Sequence, residues 1–182
     1  MLKKIERAQQ LLKKEAAVFR CPTCHEPMHV EGVGLICQQR HQFDLSKKGT
    51  LYFLNHGVQT EYNKKMFTSR GKMIQSGMYA PVLNKIMHYL PQNKTVVDVG
   101  CGEGSFLAEL SQAGLSGLKI GFDLSKEGIY LASNQPIDAF WCVADLTNLP
   151  FADQGLDTIL NIFSPSHYQE FRRVLKADGT VI

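Results

Sequence analysis

No stretch of this 182-residue chain approaches the roughly 18 consecutive apolar residues that a membrane-spanning helix requires. The opening residues, Met1-Leu-Lys-Lys-Ile-Glu-Arg7, are charged and lack the apolar centre of a secretory signal. Internal repeats and low-complexity tracts are absent too, which excludes solenoid and fibrous designs. The expectation is a cytoplasmic protein that does not enter a membrane. Its five cysteines then read as metal ligands or packing residues rather than disulfides. What is present describes a globular protein: 44% hydrophobic and 20% charged residues, enough for one ordinary domain and a small appendage. Net charge is only +3, but it is unevenly divided. Residues 1–95 carry 15 Lys+Arg against 6 Asp+Glu, and residues 96–182 carry 5 against 11. A basic first half on an acidic second half suggests that the first half meets a polyanion.

The chain is organised around Val96-Val-Asp-Val-Gly-Cys-Gly-Glu-Gly104. A β-branched run reads as a buried parallel strand. Glycines at 100, 102 and 104 follow, and then Phe106, Leu107, Leu110 and Ala113 fall on one helix face. Strand, glycine turn and helix form the first unit of a nucleotide-cofactor fold. The spacing is G-x-G-x-G, not the G-x-G-x-x-G of a dinucleotide site. Asp98 closes the strand and Glu103 sits inside the loop. Two carboxylates repel a pyrophosphate and suit a ligand with a cationic end, which S-adenosylmethionine (SAM) has. Candidate cofactor residues in this loop are Asp98, Gly100, Gly102, Glu103 and Gly104.

A second signal is Cys21-Pro-Thr-Cys24 followed by Cys37-Gln-Gln-Arg-His41. The first pair sets two thiolates on one side of a tetrahedral ion, and the second closes the shell. Gly32 and Gly34 between the pairs suggest a short hairpin. His41 makes a matched pair with Cys37 and is preferred over His25 and His29 as fourth ligand. Four protein ligands leave no open position, so a structural zinc ion is expected.

The other segments fall into place around these two. Residues 1–18 read as an amphipathic helix with Leu2, Ile5, Leu12 and Ala16 near one face, packing on the zinc module or on a second copy in a homodimer. Phe43, Leu45, Leu51, Phe53 and Leu54 are expected to continue the zinc module's sheet, giving it the span 19–54. Residues 55–78 read as a basic linker, with a mobile polar loop over 55–65. Across residues 47–72, Lys47, Lys48, Lys64, Lys65, Arg70 and Lys72 cluster with Tyr52, Tyr62 and Phe67, a mixture suited to phosphate contact and base stacking. Arg70 and Lys72 are therefore substrate-binding candidates. Pro81 and Pro91 bracket a helix through Leu83 and Ile86, with Tyr79 just ahead of it near the cofactor mouth. Leu118–Asp123 is a second strand, whose terminal acid can accept both ribose hydroxyls. Ala139–Val143 is a third, with Asp145 beyond it facing the adenine amine or serving as a loop cap. Residues 157–163 form a fourth, with Phe163 a candidate stacking residue for a target base and Asn161 a weaker polar one. The turn Ala177-Asp-Gly179 leads into a fifth strand at Thr180.

The glycine-loop run, Asp123, Asp145 with Leu149-Pro-Phe151, and Leu175-Lys-Ala-Asp-Gly179 resemble a class I SAM-dependent methyltransferase. With the Cys3His set in front, followed by Gln42-Phe-Asp44, residues 19–182 resemble the RlmA/TlrB family of 23S rRNA (guanine-N1-)-methyltransferases. The resemblance implies a Rossmann-like α/β doubly wound parallel sheet over 79–182 behind the small N-terminal zinc-binding domain. A full class I sheet has seven strands, and its last two find no counterpart here, so the domain is expected to stop after strand five. The resemblance also implies methyl transfer from SAM to N1 of a guanine in a large-subunit rRNA hairpin loop. Tyr79, Gly102 and Glu103 match positions that contact SAM in the family, and Cys21, Cys24, Cys37 and His41 match its zinc ligands. One branch protects ribosomes from macrolides. The expected chemistry is in-line displacement on the sulfonium methyl with no dedicated base. The alternatives are a small-molecule methyltransferase of the same fold and a non-catalytic RNA-binding module.

Overall fold

The computed structural model describes residues 2–55, 57–58 and 62–182. The polar span 55–65 includes residues 56 and 59–61, so the loop expected there lies in part outside the described residues.

Helix α1 (Lys4–Glu15) opens the chain. Glu6 reaches back to accept the Lys3 N–H at 2.7 Å, and Lys13 and Lys14 complement the dipole in the last turn. Strands β1 (Met28–Glu31), β2 (Gly34–Cys37) and β3 (Gln42–Asp44) form an antiparallel three-stranded sheet. The β1–β2 register closes at Glu31↔Gly34 over the two-residue turn Gly32-Val33, with Gly32 at φ 59°.

The next strand corrects an expectation. Strand β4 (Thr50–Tyr52), which holds Leu51, does not extend the ribbon but joins a large parallel sheet at its border. Helices α2 (Lys64–Gln75) and α3 (Ala80–Tyr89) follow. The expected basic linker is thus largely helical. Asn63 caps α2 by accepting the Met66 N–H at 3.0 Å, and Phe67, Gly71 and Ile74, at i, i+4 and i+7, form its buried face.

The sheet itself is built from β5 (Val96–Val99), α4 (Ser105–Gln112), β6 (Lys119–Asp123), α5 (Lys126–Ala132), β7 (Phe140–Val143), β8 (Leu156–Leu160), α6 (Tyr168–Val174) and β9 (Leu175–Val181). The strand order is β4-β7-β6-β5-β8-β9, with every pairing parallel. The chain leaves β5 to build outward through β6 and β7, then returns to the other side of β5 with β8. That reversal is the topological switch point, where such sheets open a crevice at their carboxyl ends. The expected turn at 177–179 is a bulge inside β9. Pairing passes from Leu156↔Leu175 to Thr158↔Thr180, leaving 176–179 out of the ladder.

Alternating residues separate two cores. Val96, Trp141 and Val143 meet α3, α4 and α5 through Leu83, Ile86, Phe106, Leu107 and Ile129. Val97, Ile120 and Phe140 meet the opposite layer, made by α1, the ribbon and α6 through Leu12, Phe19, Leu35 and Phe171. The ribbon therefore does not stand apart. Phe19 packs edge-on against Phe140 at 5.1 Å between ring centroids and bridges to Phe151. Arg20 N–H donates to Pro150 O at 3.0 Å, and the Asn148 amide to Pro22 O at 2.8 Å. Arg173 holds the receiving segment with bonds to Glu170, Asp153, Leu149 O and Phe151 O. Helix α1 lies on the same layer, with Ala8 and Leu12 buried. Among the described residues, no helix is long and apolar enough to cross a membrane.

Candidate active site and metal centre

The metal centre is made by two knuckles at the end of the ribbon. Ligand atoms of Cys21, Cys24, Cys37 and His41 all lie within 4.8 Å of one another. Sulfur–sulfur distance is 3.4 Å for Cys24 and Cys37, and His41 Nδ1 lies 3.5 and 3.4 Å from the sulfurs of Cys21 and Cys37. Tetrahedral ligands about 2.3 Å from an ion stand about 3.8 Å apart, so these residues fit zinc with little movement. Backbone conformation prepares the knuckles: His25 and Arg40 take φ 65° each, and the Cys37 N–H donates to His41 O at 3.1 Å. Burial pushes the Cys37 thiol up. The His41 backbone amide and the neighbouring Cys24 outweigh it and bring Cys37 down to about 7, toward the thiolate that a metal requires. The converging histidine is His41, while His25 and His29 stand outside the cluster.

The second site lies at the carboxyl ends of β5, β6 and β7, where a crevice of about 470 Å³ opens. Gly100, Arg70, Asp123, Asp145 and Phe163 are among the residues that line it. Asp98 and Glu103 lie just behind, 2% and 4% exposed. Oδ2 of Asp98 and both carboxylate oxygens of Glu103 have no hydrogen-bond partner among the described residues. Leaving such groups unpaired in a buried place is costly, and here three of them flank one crevice. A bound ammonium group would relieve that cost. The buried acids fit the ammonium end of SAM. Burial, together with the negative charges of Asp123 and Glu103, raises Asp98 to about 7 against the opposing pull of Arg70.

The loop glycines have geometric reasons to be glycine. Gly102 is at φ 57°, and a Cβ there would stand 2.6 Å from Arg70 Nη1. Gly104 caps α4 at φ 77°, and its Cβ would meet the Trp141 ring at 2.6 Å. The Gln135 side chain fastens the loop by donating to Glu103 O at 2.9 Å. Asp123 shapes it from the neighbouring strand, accepting N–H groups of Gly102 at 2.9 Å and Ser125 at 2.8 Å. Burial raises Asp123, and those two amides work against it. Asp145 Oδ1 accepts the Thr147 N–H and hydroxyl, both at 2.8 Å, so it closes a turn while it lines the crevice. Leu124 and Leu146, each next in sequence to one of these acids, give the slot apolar lining.

At the rim, β8 ends before the residue expected to close it. Phe163 sits beyond Leu160 at φ 58°, 75% exposed. Ser164 fixes that turn, its hydroxyl donating to Val99 O at 2.7 Å, and Asn161 bonds the hydroxyls of Ser164 and Ser166. Asn161 thus braces the loop instead of facing a substrate. Tyr79 lies edge-on to both Phe163 and Phe106, at 5.7 and 5.3 Å between centroids. It supports the rim rather than lining the crevice.

Two of the expected RNA-facing residues point elsewhere. Phe67 is buried, against Gly102 and Gly128. Arg70 turns inward from α2, with Nη1 3.9 Å from Glu103 Oε2 and its guanidinium over Phe106. Lys64, Lys65 and Lys72 lie exposed on α2. Sequence reasoning did not anticipate that α2 roofs the loop, although the 67–71–74 spacing signals a helix with one buried face.

Comparison with known proteins gives the same two parts. Residues 96–179 match a family described as a methyltransferase domain, and residues 19–55 match one described as the RlmA N-terminal region, a zinc ribbon. YxjB of Bacillus subtilis, whose name provisionally assigns it as a 23S rRNA (guanine-N(1)-)-methyltransferase, is 42% identical over 91% of this chain and 63% of its own. A Streptomyces fradiae 23S rRNA (guanine(748)-N(1))-methyltransferase is 28% identical over 93% of this chain and 64% of its own. The chain therefore spans just under two thirds of the length of these relatives. Among solved structures, a provisionally assigned SAM-dependent methyltransferase of Methanococcus maripaludis superposes with TM-score 0.55 at 20% identity. It covers 69% of this chain and 65% of that one, and supports the fold alone.

Proposed function

We propose that this chain belongs to the family that joins an RlmA-type zinc ribbon to a class I SAM-dependent methyltransferase domain, and that the intact protein methylates N1 of a guanine in a 23S rRNA hairpin loop. The observation that carries the reading is the pair of buried carboxylates, Asp98 and Glu103, three of whose oxygens lack a hydrogen bond among the described residues, behind a glycine turn at the switch point. When bound, SAM supplies an electrophilic methyl group on a sulfonium. Asp98 and Glu103 hold the ammonium end, Asp123 accepts ribose hydroxyls, and Asp145 accepts the adenine amine with its remaining oxygen. Phe163, exposed at the rim beside Tyr79, stacks on a guanine splayed from its loop. These residues bring nucleophile and methyl into line and exclude water, so positioning supplies the acceleration. The N1 proton leaves without a dedicated base among them.

The ribbon and the exposed lysines of its neighbourhood, Lys47, Lys48, Lys64, Lys65 and Lys72, grip the RNA backbone, and the zinc ion serves structure alone. Such an enzyme works in the cytoplasm, where its substrate is made. Primer extension on 23S rRNA from cells with and without the intact gene tests this. A strong stop at one guanine, present only with the gene, is expected because an N1 methyl blocks pairing. Identical extension patterns would refute the reading. Methylation of a small molecule, with no salt-dependent RNA binding, would replace it with a small-molecule enzyme of the same fold.

A further inference from the structure

Arg70 stands closest to a role that the reading above leaves unfilled. Among the described residues lining the crevice it is the one cation. Its side chain is 26% exposed, held between the Phe106 ring at 5.6 Å and Glu103 at 3.9 Å. Neither contact is a hydrogen bond, and among the described residues its guanidinium donates none. Five N–H donors in a fixed planar fork thus lack acceptors. Glu103, 3.9 Å away, and Asp98 keep three buried oxygens without hydrogen-bond donors among the described residues. Donors and acceptors are both unsatisfied, and they lie side by side without satisfying one another.

A ligand bearing only positive charge answers half of this arrangement and sets its cation against Arg70. A ligand carrying an ammonium and a carboxylate on one carbon answers both halves. Gly102 lets the guanidinium close on the loop, because a Cβ there would lie 2.6 Å from Arg70 Nη1. We propose that Arg70 is a donor-binding residue whose guanidinium takes the α-carboxylate of SAM while Asp98 and Glu103 take its α-ammonium. The crevice then reads a zwitterionic amino-acid end, not positive charge alone. This assignment rests on the SAM reading of the site, and it moves Arg70 from the RNA surface to the donor.

The experiment uses the intact protein and two donors, SAM and its decarboxylated analogue, which keeps the amine and sulfonium but lacks the carboxylate. Calorimetric titration should show the unaltered protein preferring SAM. Arg70→Gln should weaken SAM binding by about 10- to 100-fold, the range for a charged hydrogen-bonded pair, and leave the analogue's affinity within about threefold. The preference would thereby collapse, and Arg70→Lys should restore part of it. An Arg70→Gln protein that weakens both donors equally would make the residue a mere support for α2 and overturn the assignment. So would one that keeps the full preference for SAM. If neither donor bound the unaltered protein, the SAM reading itself would fall, and this assignment with it. Thermal melts of each variant separate lost binding from lost folding.

Discussion

The ribbon and the crevice solve opposite problems with polar side chains. At the ribbon, four ligand atoms from two knuckles converge within 4.8 Å, so the chain itself presents a complete shell. At the crevice, three buried oxygens of Asp98 and Glu103 lack a hydrogen bond among the described residues, and Arg70 stands 3.9 Å from Glu103, near enough for an ion pair but not for a hydrogen bond. One site is complete in its donors and needs an ion to bind them together. The other is incomplete among the described residues, and on the proposed function what completes it arrives and leaves at each turnover. A structural ligand can be buried behind a closed set of four, whereas a consumable one requires a protein that tolerates unsatisfied charge between cycles.

Removing the metal should break the comparison most severely. The ribbon shares Phe19, Phe43 and Phe53 with the layer beneath the sheet, so its loss reaches the whole fold. Treatment with a strong chelator, or Cys37→Ala, should lower the melting temperature by roughly 10 °C or more. Hydrogen exchange should show the first loss of protection over 19–54. An unchanged melt with zinc demonstrably removed would contradict it.

Neutralising a crevice acid should have divided effects. The folded protein holds Asp98 at about 7, above its ordinary 3.8, so it keeps a proton that the unfolded chain releases. The donor-free protein should therefore lose stability as pH rises from about 4 to about 7, then level off. Asp98→Asn should remove that slope and stabilise the donor-free protein at pH 8, while weakening SAM about 10- to 100-fold. A cationic end favours the charged carboxylate, so SAM binding should release a proton near pH 7 and tighten as pH rises through it. Titrations in two buffers of different ionisation enthalpy measure that release. Its absence in the unaltered protein would remove Asp98 from the donor site.

Smaller effects belong to the rim and the outer face of α2. Phe163→Ala should leave the melt within about 1 °C, since the ring is exposed, and should cost RNA methylation about tenfold through lost stacking. Phe163→Tyr should retain activity. Lys72→Gln should weaken RNA binding only slightly and reduce the salt slope by at most about one unit, the signature of a single phosphate contact.

Local signals carried most of the architecture. The β-branched run, the three glycines and the two cysteine knuckles each lie within a dozen residues, and their chemistry is fixed by spacing. The sheet followed from strand-helix alternation. Long-range features were less legible. Nothing in Thr50-Leu-Tyr52 says that its partner is Thr50↔Trp141 in another layer rather than the adjacent hairpin. The inward turn of Arg70 depends on α2 crossing the glycine loop, which a count of basic residues cannot reveal. The grip of Arg173 on residues 149–153 likewise appears only once α6 lies beside that segment.

Strand β4 deserves a last consequence. It leaves the ribbon, lies parallel to β7, and then donates the Phe53 N–H to Val143 O at 2.9 Å, one residue before Ala144 and two before Asp145, both on the crevice wall. The ribbon module is therefore hemmed into the outer margin of the parallel sheet. A cell starved of zinc would loosen this seam at its selvage, and on the proposed reading the purine end of the donor would lose its wall before the amino-acid end did.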